Sequence, residues 1–426
     1  MHTVNAETVN YISARSDLLS TLFVVLALCT YMYGPSLRRF SIYLIPLFLA
    51  FLVKLTVVVF PLLLFFYIVL IEQGLSLPQM FARKNLSVLG RATLETVPSW
   101  MVSGLMLALS AHMTPKTFLP SYIKPWNYIL TQPMALFHYF SSFFFPSRLC
   151  ADIEFQPMSG ILDKRVIIGC VFILATIILM VRFSRVVKQR PMALGILWFF
   201  IASIPTSCGV VPLAESMNDH RMFFPFLGLM MAVGWGVKLG LDHYQDKIRR
   251  HPFLKGILVV ALLLVYVGHM YGTYQRNKVW KNEESLWYDV TIKSPQNGRG
   301  LMNYGLTQMA KGNYKRALNY FERSLVYNPR YSTLYINLAI VKDAFGDTNS
   351  AEQFFLVAMF LEKTNPNSYY YYARYLSHHN RFDEALPLLR TCLDLSPGYA
   401  DCSDLLLKVQ EQRPPLSTFF LREATI

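Results

Sequence analysis

Charge is scarce in this chain: Asp, Glu, Lys and Arg make up 15% of its 426 residues, against 54% apolar residues. A soluble domain of this length needs more charge to cover its surface, which excludes a single water-soluble globule. Cysteine is sparse too, and its 6 residues form no CxxC pair and no cluster with histidine. Neither structural zinc nor a disulfide framework is expected from that pattern. Cys29, Cys170 and Cys208 fall in apolar stretches and Cys150 in a loop, while Cys392 takes a small-residue packing position. The segment Met1–Asp17 is polar and carries two acids, so it lacks the basic start and apolar core expected of a signal peptide. Base-reading motifs and interleaved basic-aromatic strands are missing as well. The formal charge of +14 is therefore not expected to mark a nucleic-acid binder. Much of it sits in short loops between apolar runs, where membrane topology calls for it.

What is present changes character near Tyr274. Before it, apolar runs alternate with short basic loops; beyond it, Asn, Tyr, Lys and Glu become common. Two parts in different solvents are expected. A spanning helix needs roughly 20 mostly apolar residues. Runs of about that kind occur at Leu18–Tyr33, Ser41–Val53, Val57–Ile71, Val97–Met113, Val166–Val181, Met192–Cys208, Met222–Leu241 and Gly256–Tyr274, about eight in all. The second and third are short and share the turn Lys54-Leu55-Thr56, which predicts a tight hairpin. Basic residues gather at Arg38 and Arg39, at Arg83, Lys84 and Arg91, at Arg182 to Arg190, and at Lys247 to Lys255. Eight spans put all four groups on the cytoplasmic side and everything after Tyr274 on the opposite one. The only sequon, Asn85-Leu86-Ser87, then falls on the cytoplasmic side and says nothing about compartment. Asn127–Phe145 is apolar and aromatic but interrupted by Pro133, and is expected to lie in the interface rather than cross.

Past Tyr274 the sequence repeats every 34 residues. Gly305, Ala339 and Ala373 share one small-residue position, Ala317, Ala351 and Ala385 a second, and Ser324, Ala358 and Cys392 a third. Phe321, Phe355 and Leu389 fill the bulky position, and Gly312-Asn313, Gly346-Asp347 and Asn380-Arg381 mark the turn inside each unit. Small residues let two antiparallel helices pack closely while the bulky one fills the groove between them, the pattern of a tetratricopeptide (TPR) solenoid. The fold class expected is all-α. A polytopic membrane domain (1–274) leads through a junction helix (275–298) to a TPR array with a capping helix (299–412) and a tail (413–426). Such arrays bind peptides or proteins; decoration or dimerisation of the membrane part is the plainer alternative.

Four polar clusters in the first part exceed what spanning requires. They are His2 to Glu7 running on to Arg15-Ser16-Asp17, Lys54 with Thr56, Trp126 to Gln132, and Glu215 to Arg221. All open to the same side in this topology, and ionisable groups at a membrane boundary mark a site by default. Each has an ordinary structural reading too: a helix cap with a snorkelling Arg15, a snorkelling Lys54, and a local ion-pair network of Glu215, Asp219 and Arg221.

These segments resemble the transmembrane and TPR-containing (TMTC-like) family of protein O-mannosyltransferase-like proteins, polytopic GT-C-type enzymes that take sugar from a polyprenyl-phosphate carrier. His2 to Asp17 is similar to that family's HPxxxEAV…GRAD/RSD segment, with Thr3 in place of proline. Lys54-Leu55-Thr56 resembles its Lys-Glu-Thr turn, with Leu55 in place of the acid. Trp126–Gln132 resembles its external Tyr-Leu-Leu-Thr-Gln helix. Trp280, Glu283, Leu286 and Trp287, ahead of Pro295 and Asn297, resemble the junction into the array. The resemblance implies transfer of a mannose-type sugar from a dolichyl-type phosphate to Ser or Thr of a protein held by the TPR units. It implies a bacterial inner membrane or, in a eukaryote, the endoplasmic reticulum membrane, with lipid and lipid-linked sugar as partners. It also places the catalytic base in a loop upstream of the His2 segment, so either the true start lies upstream of Met1 and the chain is N-terminally incomplete, or the chain has lost its general base and is inactive as given.

Such chemistry needs a carboxylate to accept the hydroxyl proton, cations to hold the leaving phosphate, and a dry lateral entrance for the lipid. Arg15, Lys54 and Arg221 are the candidate cations. Glu7, Asp17, Glu215 and Asp219 are the available acids, and His2, Thr56 and His220 complete the candidate pocket, with His220 either an acid–base group or structural. No divalent metal is indicated. The alternative is a non-catalytic membrane-tethered TPR scaffold. A transporter is disfavoured, since no inverted repeat or pair of broken helices is evident.

Overall fold

The computed structural model describes residues 2–115, 123–207, 213, 215 and 217–411. Cys208, much of the loop after it and the 413–426 tail with Pro414-Pro415 lie outside the described residues. Among those described, every regular element is helical, which makes the chain all-α. It divides into two compact units, Met1–Ala151 with Phe155–Trp280, and Asp152–Glu154 with Lys281–Ile426.

In the first unit, 6 of the described helices are long and apolar enough to cross a membrane: Ile12–Tyr33, Leu55–Glu72, Arg83–Met113, Lys164–Arg185, Asp219–Arg250 and Phe253–Val279. Two of the expected runs, 41–53 and 192–208, form helices outside these six. Ser41–Val53 contributes only the 10-residue helix Leu44–Val53, about 15 Å long against a hydrocarbon layer of about 30 Å. Met192–Cys208 appears as Arg190–Ser207, which opens on Arg190-Pro191 and closes on Pro205-Thr206-Ser207. On it Leu194, Ile196, Trp198, Phe199 and Ile201 are buried among its neighbours.

The hairpin at Lys54 forms as the turn predicts. Leu44–Val53 ends at Lys54, and the chain returns through Leu55–Val59, Phe60–Tyr67 and Ile68–Glu72. Arg38 closes its mouth, 3.0 Å from Glu72 and bonded also to Glu95. The guanidinium lies 4.1 Å over the Tyr31 ring, whose hydroxyl donates to Glu95 at 2.8 Å. Pro125–Phe144 differs from expectation, for it runs unbroken through Pro133 for 20 residues. Proline removes a single donor, and a close neighbouring helix tolerates that loss. Here the neighbour is Gly169, where an added Cβ would lie 2.3 Å from the Pro133 carbonyl carbon.

The second unit is built from antiparallel helix pairs: Gly298–Ala310 with Tyr314–Tyr327, Ser332–Ala344 with Thr348–Leu361, and Pro366–His378 with Phe382–Leu395. Glu283–Lys293 precedes them and Ala400–Gln410 follows. Ala317, Ala339, Ala351, Ala358, Ala373, Ala385 and Cys392 are all fully buried, with Phe321, Phe355 and Leu389 packed among them. The intra-unit turns need left-handed backbone: φ is 78° at Gly312, 77° at Gly346 and 59° at Asn380. Glycine and asparagine are the residues that adopt it at least cost.

Within the first unit, Arg190–Ser207 and Phe223–Arg250 meet backbone to backbone. A Cβ at Gly195 would stand 2.4 Å from the Gly228 carbonyl oxygen, and one at Gly228 2.5 Å from that of Gly195. In a membrane, helix association rests on such close packing between small residues rather than on hydrophobic exclusion. Gly234, on the same helix as Gly228, has nothing within 4 Å of its would-be Cβ. Gly195→Leu is therefore expected to destabilise the detergent-solubilised protein by about 1–3 kcal/mol through overpacking, with Gly234→Leu close to wild type in thermal unfolding.

Candidate functional site

Four separate stretches deliver charged side chains to one place. The short helix Ala6–Asn10 carries Glu7, Arg15–Tyr33 carries Asp17 in its first turn, the hairpin tip carries Lys54, and the segment before Phe223–Arg250 carries Glu215, His220 and Arg221. Lys54 Nζ donates to Asp17 Oδ1 at 2.6 Å. His220 Nδ1 lies 3.1 Å from Glu7 Oε1. Arg221 donates to the Glu215 carbonyl at 2.9 Å and sits 3.5 Å from its carboxylate. The charges of Asp17, Arg221, Lys54 and Glu215 all act on the His220 ring, which makes these contacts one cluster. Glu7 and Asp17 are 3% and 5% exposed, so each carboxylate depends on a partner for its charge.

The other candidates stand apart from that cluster. Arg15 is exposed and donates from Nε to the Val9 carbonyl at 3.1 Å, bracing its own turn. Asp219 is buried, and the charges acting on it are those of His138 and Arg276 before that of His220 in the cluster. Arg276 itself donates to the Leu149 carbonyl at 2.9 Å. Thr56 lies in the 3-10 turn that follows Lys54. His2 stacks on Phe143 with ring centroids 4.9 Å apart and lies 4.3 Å from His269. Burial and then the neighbouring His269 pull the His2 pKa down to about 4. Thr3, at the position where the resembled family has proline, bonds His269 instead. In the Trp126–Gln132 stretch, Tyr128 donates to the Thr206 carbonyl and Thr131 accepts from Met158 N at 2.8 Å. That stretch packs into the fold rather than joining the charges.

Beneath the cluster opens an apolar groove of about 360 Å³ between Arg15–Tyr33 and Phe223–Arg250. Leu18, Leu22 and Val25 form one wall and Phe226, Leu227 and Met230 the other, with Asn5 at the rim. Leu18 follows Asp17 on Arg15–Tyr33, so the groove and the cluster share that helix. Among the described residues no group of three or more His, Cys, Asp or Glu could hold a metal ion.

Sequence reasoning missed the supports of this site. Tyr139 clamps the fourth cluster from Pro125–Phe144, accepting from Asn218 N at 2.7 Å and donating to its carbonyl at 3.1 Å. Nothing in the aromatic run 137–145 singles out that tyrosine. Tyr31, Glu72 and Glu95 around Arg38 were missed as well, although two acids bordering apolar runs were a readable signal.

Two consequences can be measured. Lys54→Ala strips the partner from a buried carboxylate while Lys54 itself is only 26% exposed. The loss should be about 2 kcal/mol, under the buried-pair range because of that exposure. Asp17→Asn in the same chain should restore most of it in thermal unfolding. For His2, the folded pKa lies below the ordinary 6.5, so its contribution is full above pH 6.5 and fades as pH falls towards 4. His2→Gln should remove that component from a stability-versus-pH curve while leaving the curve above pH 7 parallel to wild type.

Comparison with known proteins agrees with this architecture. A tetratricopeptide repeat family model matches residues 298–331. The protein O-mannosyl-transferase TMTC3 of Homo sapiens is 22% identical across 96% of this chain and 49% of its own. Tmtc3 of Drosophila melanogaster is 22% identical across 62% of this chain and 31% of its own. Of solved structures, the Arabidopsis OM64 TPR domain is similar at 20% identity and a TM-score of 0.26, over 27% of this chain and 95% of that one. This chain spans about half the length of human TMTC3. With six candidate membrane helices ahead of a tetratricopeptide array, it is a distant homologue, over most of its length, of the TMTC protein O-mannosyl-transferases.

Proposed function

We propose that this chain is a membrane glycosyltransferase with an attached TPR array. It takes a mannose-type sugar from a dolichyl-type phosphate carrier and delivers it to Ser or Thr of a protein acceptor. The observation that carries this reading is the Lys54–Asp17–His220–Arg221 cluster on the same helices as the groove lined by Leu18, Leu22, Phe226 and Met230. An amphiphile with a charged head and a prenyl tail matches that pairing, and largely apolar clefts with a few polar groups are the usual ligand sites. Lys54 and Arg221 hold the carrier phosphate in this proposal, with Arg15 at the rim. Glu7 fixes the His220 ring through Nδ1 and leaves Nε2 for a proton. The base that activates the acceptor hydroxyl is a carboxylate, in keeping with the resembled family. The TPR units bind acceptor or partner polypeptide, on the non-cytoplasmic side that basic-loop counting favours, in an endoplasmic reticulum or bacterial inner membrane.

A second reading, a non-catalytic membrane-tethered TPR scaffold, draws on one observation. Both cations already have carboxylate partners, Lys54 at 2.6 Å and Arg221 at 3.5 Å, so each cation has a counter-charge within the cluster itself. Carrier binding separates the two. In nanodiscs, Lys54→Met/Asp17→Asn and Arg221→Met should each weaken dolichyl phosphate binding about tenfold or more, the worth of one charge-assisted contact. The exposed Arg148→Ala should leave it unchanged, and mannosyl transfer from dolichyl phosphate mannose should fall in parallel. Equal affinity in all four proteins would sink the phosphate assignment. No binding by wild type would favour the scaffold.

A further inference from the structure

The third repeat departs from the first two at a point of close helix contact. Position pairs ten residues apart recur through the array: Ser324 with Leu334, Ala358 with Ser368, and Cys392 with Cys402. The first member lies on the second helix of a unit and the other on the helix that follows. All six are essentially buried, since this is where helices approach closely enough to favour small side chains. Only the last pair can be joined covalently. Cys402 Sγ lies 3.5 Å from the Leu389 carbonyl oxygen, one turn before Cys392 on Phe382–Leu395, and the two thiols are within hydrogen-bond reach of each other. Both are 0% exposed and both are unoxidised in this structure. Neither spacing nor motif flagged them, because residues ten apart on different helices meet only through the packing of the solenoid.

We propose that Cys392 and Cys402 form a disulfide that staples Ala400–Gln410 to the third repeat when the array meets a low-molecular-weight disulfide oxidant. One protein thiolate attacks the oxidant's S–S bond, forming a mixed disulfide and releasing one small thiolate. The second thiol then gives up its proton and attacks the protein sulfur of that mixed disulfide, expelling the other small thiolate. Two protein S–H bonds are lost and one S–S bond is formed. The oxidant leaves as two thiols carrying the two protons. Burial holds both thiols above the usual range, so exchange waits on local opening of Ala400–Gln410. Closure afterwards brings the second sulfur onto the first, which selects the internal bond over a stable mixed disulfide.

The test uses the full chain in detergent, incubated with glutathione disulfide and glutathione over a range of ratios. It is then acid-quenched, unfolded, alkylated and mapped by mass spectrometry. Peptides bearing Cys392 and Cys402 should appear joined and two hydrogens lighter, while Cys29, Cys150 and Cys170 remain unlinked to either. Chymotryptic cleavage within Ala400–Gln410 should slow about tenfold on oxidation and recover with dithiothreitol. Cys392→Ser should leave Cys402 glutathionylated and cleavage fast under all ratios. Full alkylation of both thiols, separate glutathionylation of each, or linkage to another cysteine would overturn the proposal.

Discussion

A carboxylate placed among apolar helices must find a cation or a proton donor, and much of the first unit is arranged around that need. Asp17 stands in the first turn of the opening span, and only the tip of the Leu44–Val53 hairpin brings a cation to it. The pair therefore fixes how deep the hairpin inserts. At the hairpin's mouth the same rule acts in reverse: one cation, Arg38, draws in two carboxylates and the face of Tyr31. With its tip tied to one end of Arg15–Tyr33 and its mouth near the other, the hairpin cannot slide. The groove beside Leu18 and Leu22 inherits its position from that constraint.

Packing without side chains supplies the second constraint. Gly195 on Gly228 and Gly169 on the Pro133 backbone let two helix pairs approach until main chains touch. That draws Phe223–Arg250 in close and sets where the preceding His220 and Arg221 come to rest. Tyr139 then anchors the intervening segment through Asn218. The charged cluster is thus a product of helix contacts some distance from it, which is why its members come from four stretches of chain.

The second unit follows different physics. Its positions 34 residues apart meet equivalent surroundings, so the repeat in sequence is a direct image of the repeat in space. Buried alanines, the bulky Phe321, Phe355 and Leu389, and the left-handed Gly312, Gly346 and Asn380 all sit where that periodicity puts them. The cysteine pair shows the limit of such reading. Equivalence along the array locates each cysteine, yet contact between neighbouring helices brings the two together.

Hydropathy and periodicity alone determined the all-helical class, the apolar first part, the hairpin turn at Lys54 and the register of every repeat. Each of these depends on interactions local to a helix or repeated at fixed spacing. They determined the composition of the polar clusters as well, because ionisable residues in apolar surroundings stand out wherever they point. Which of those residues meet was decided by tertiary structure. Asp219 and His220 are neighbours in sequence, yet His138 and Arg276 act on the first more than His220 does, while the second bonds Glu7. Arg15, two residues from Asp17, turns back to its own backbone. An apolar stretch reads alike whether lipid or protein surrounds it, and only packing shows that Arg190–Ser207 is buried by its neighbours.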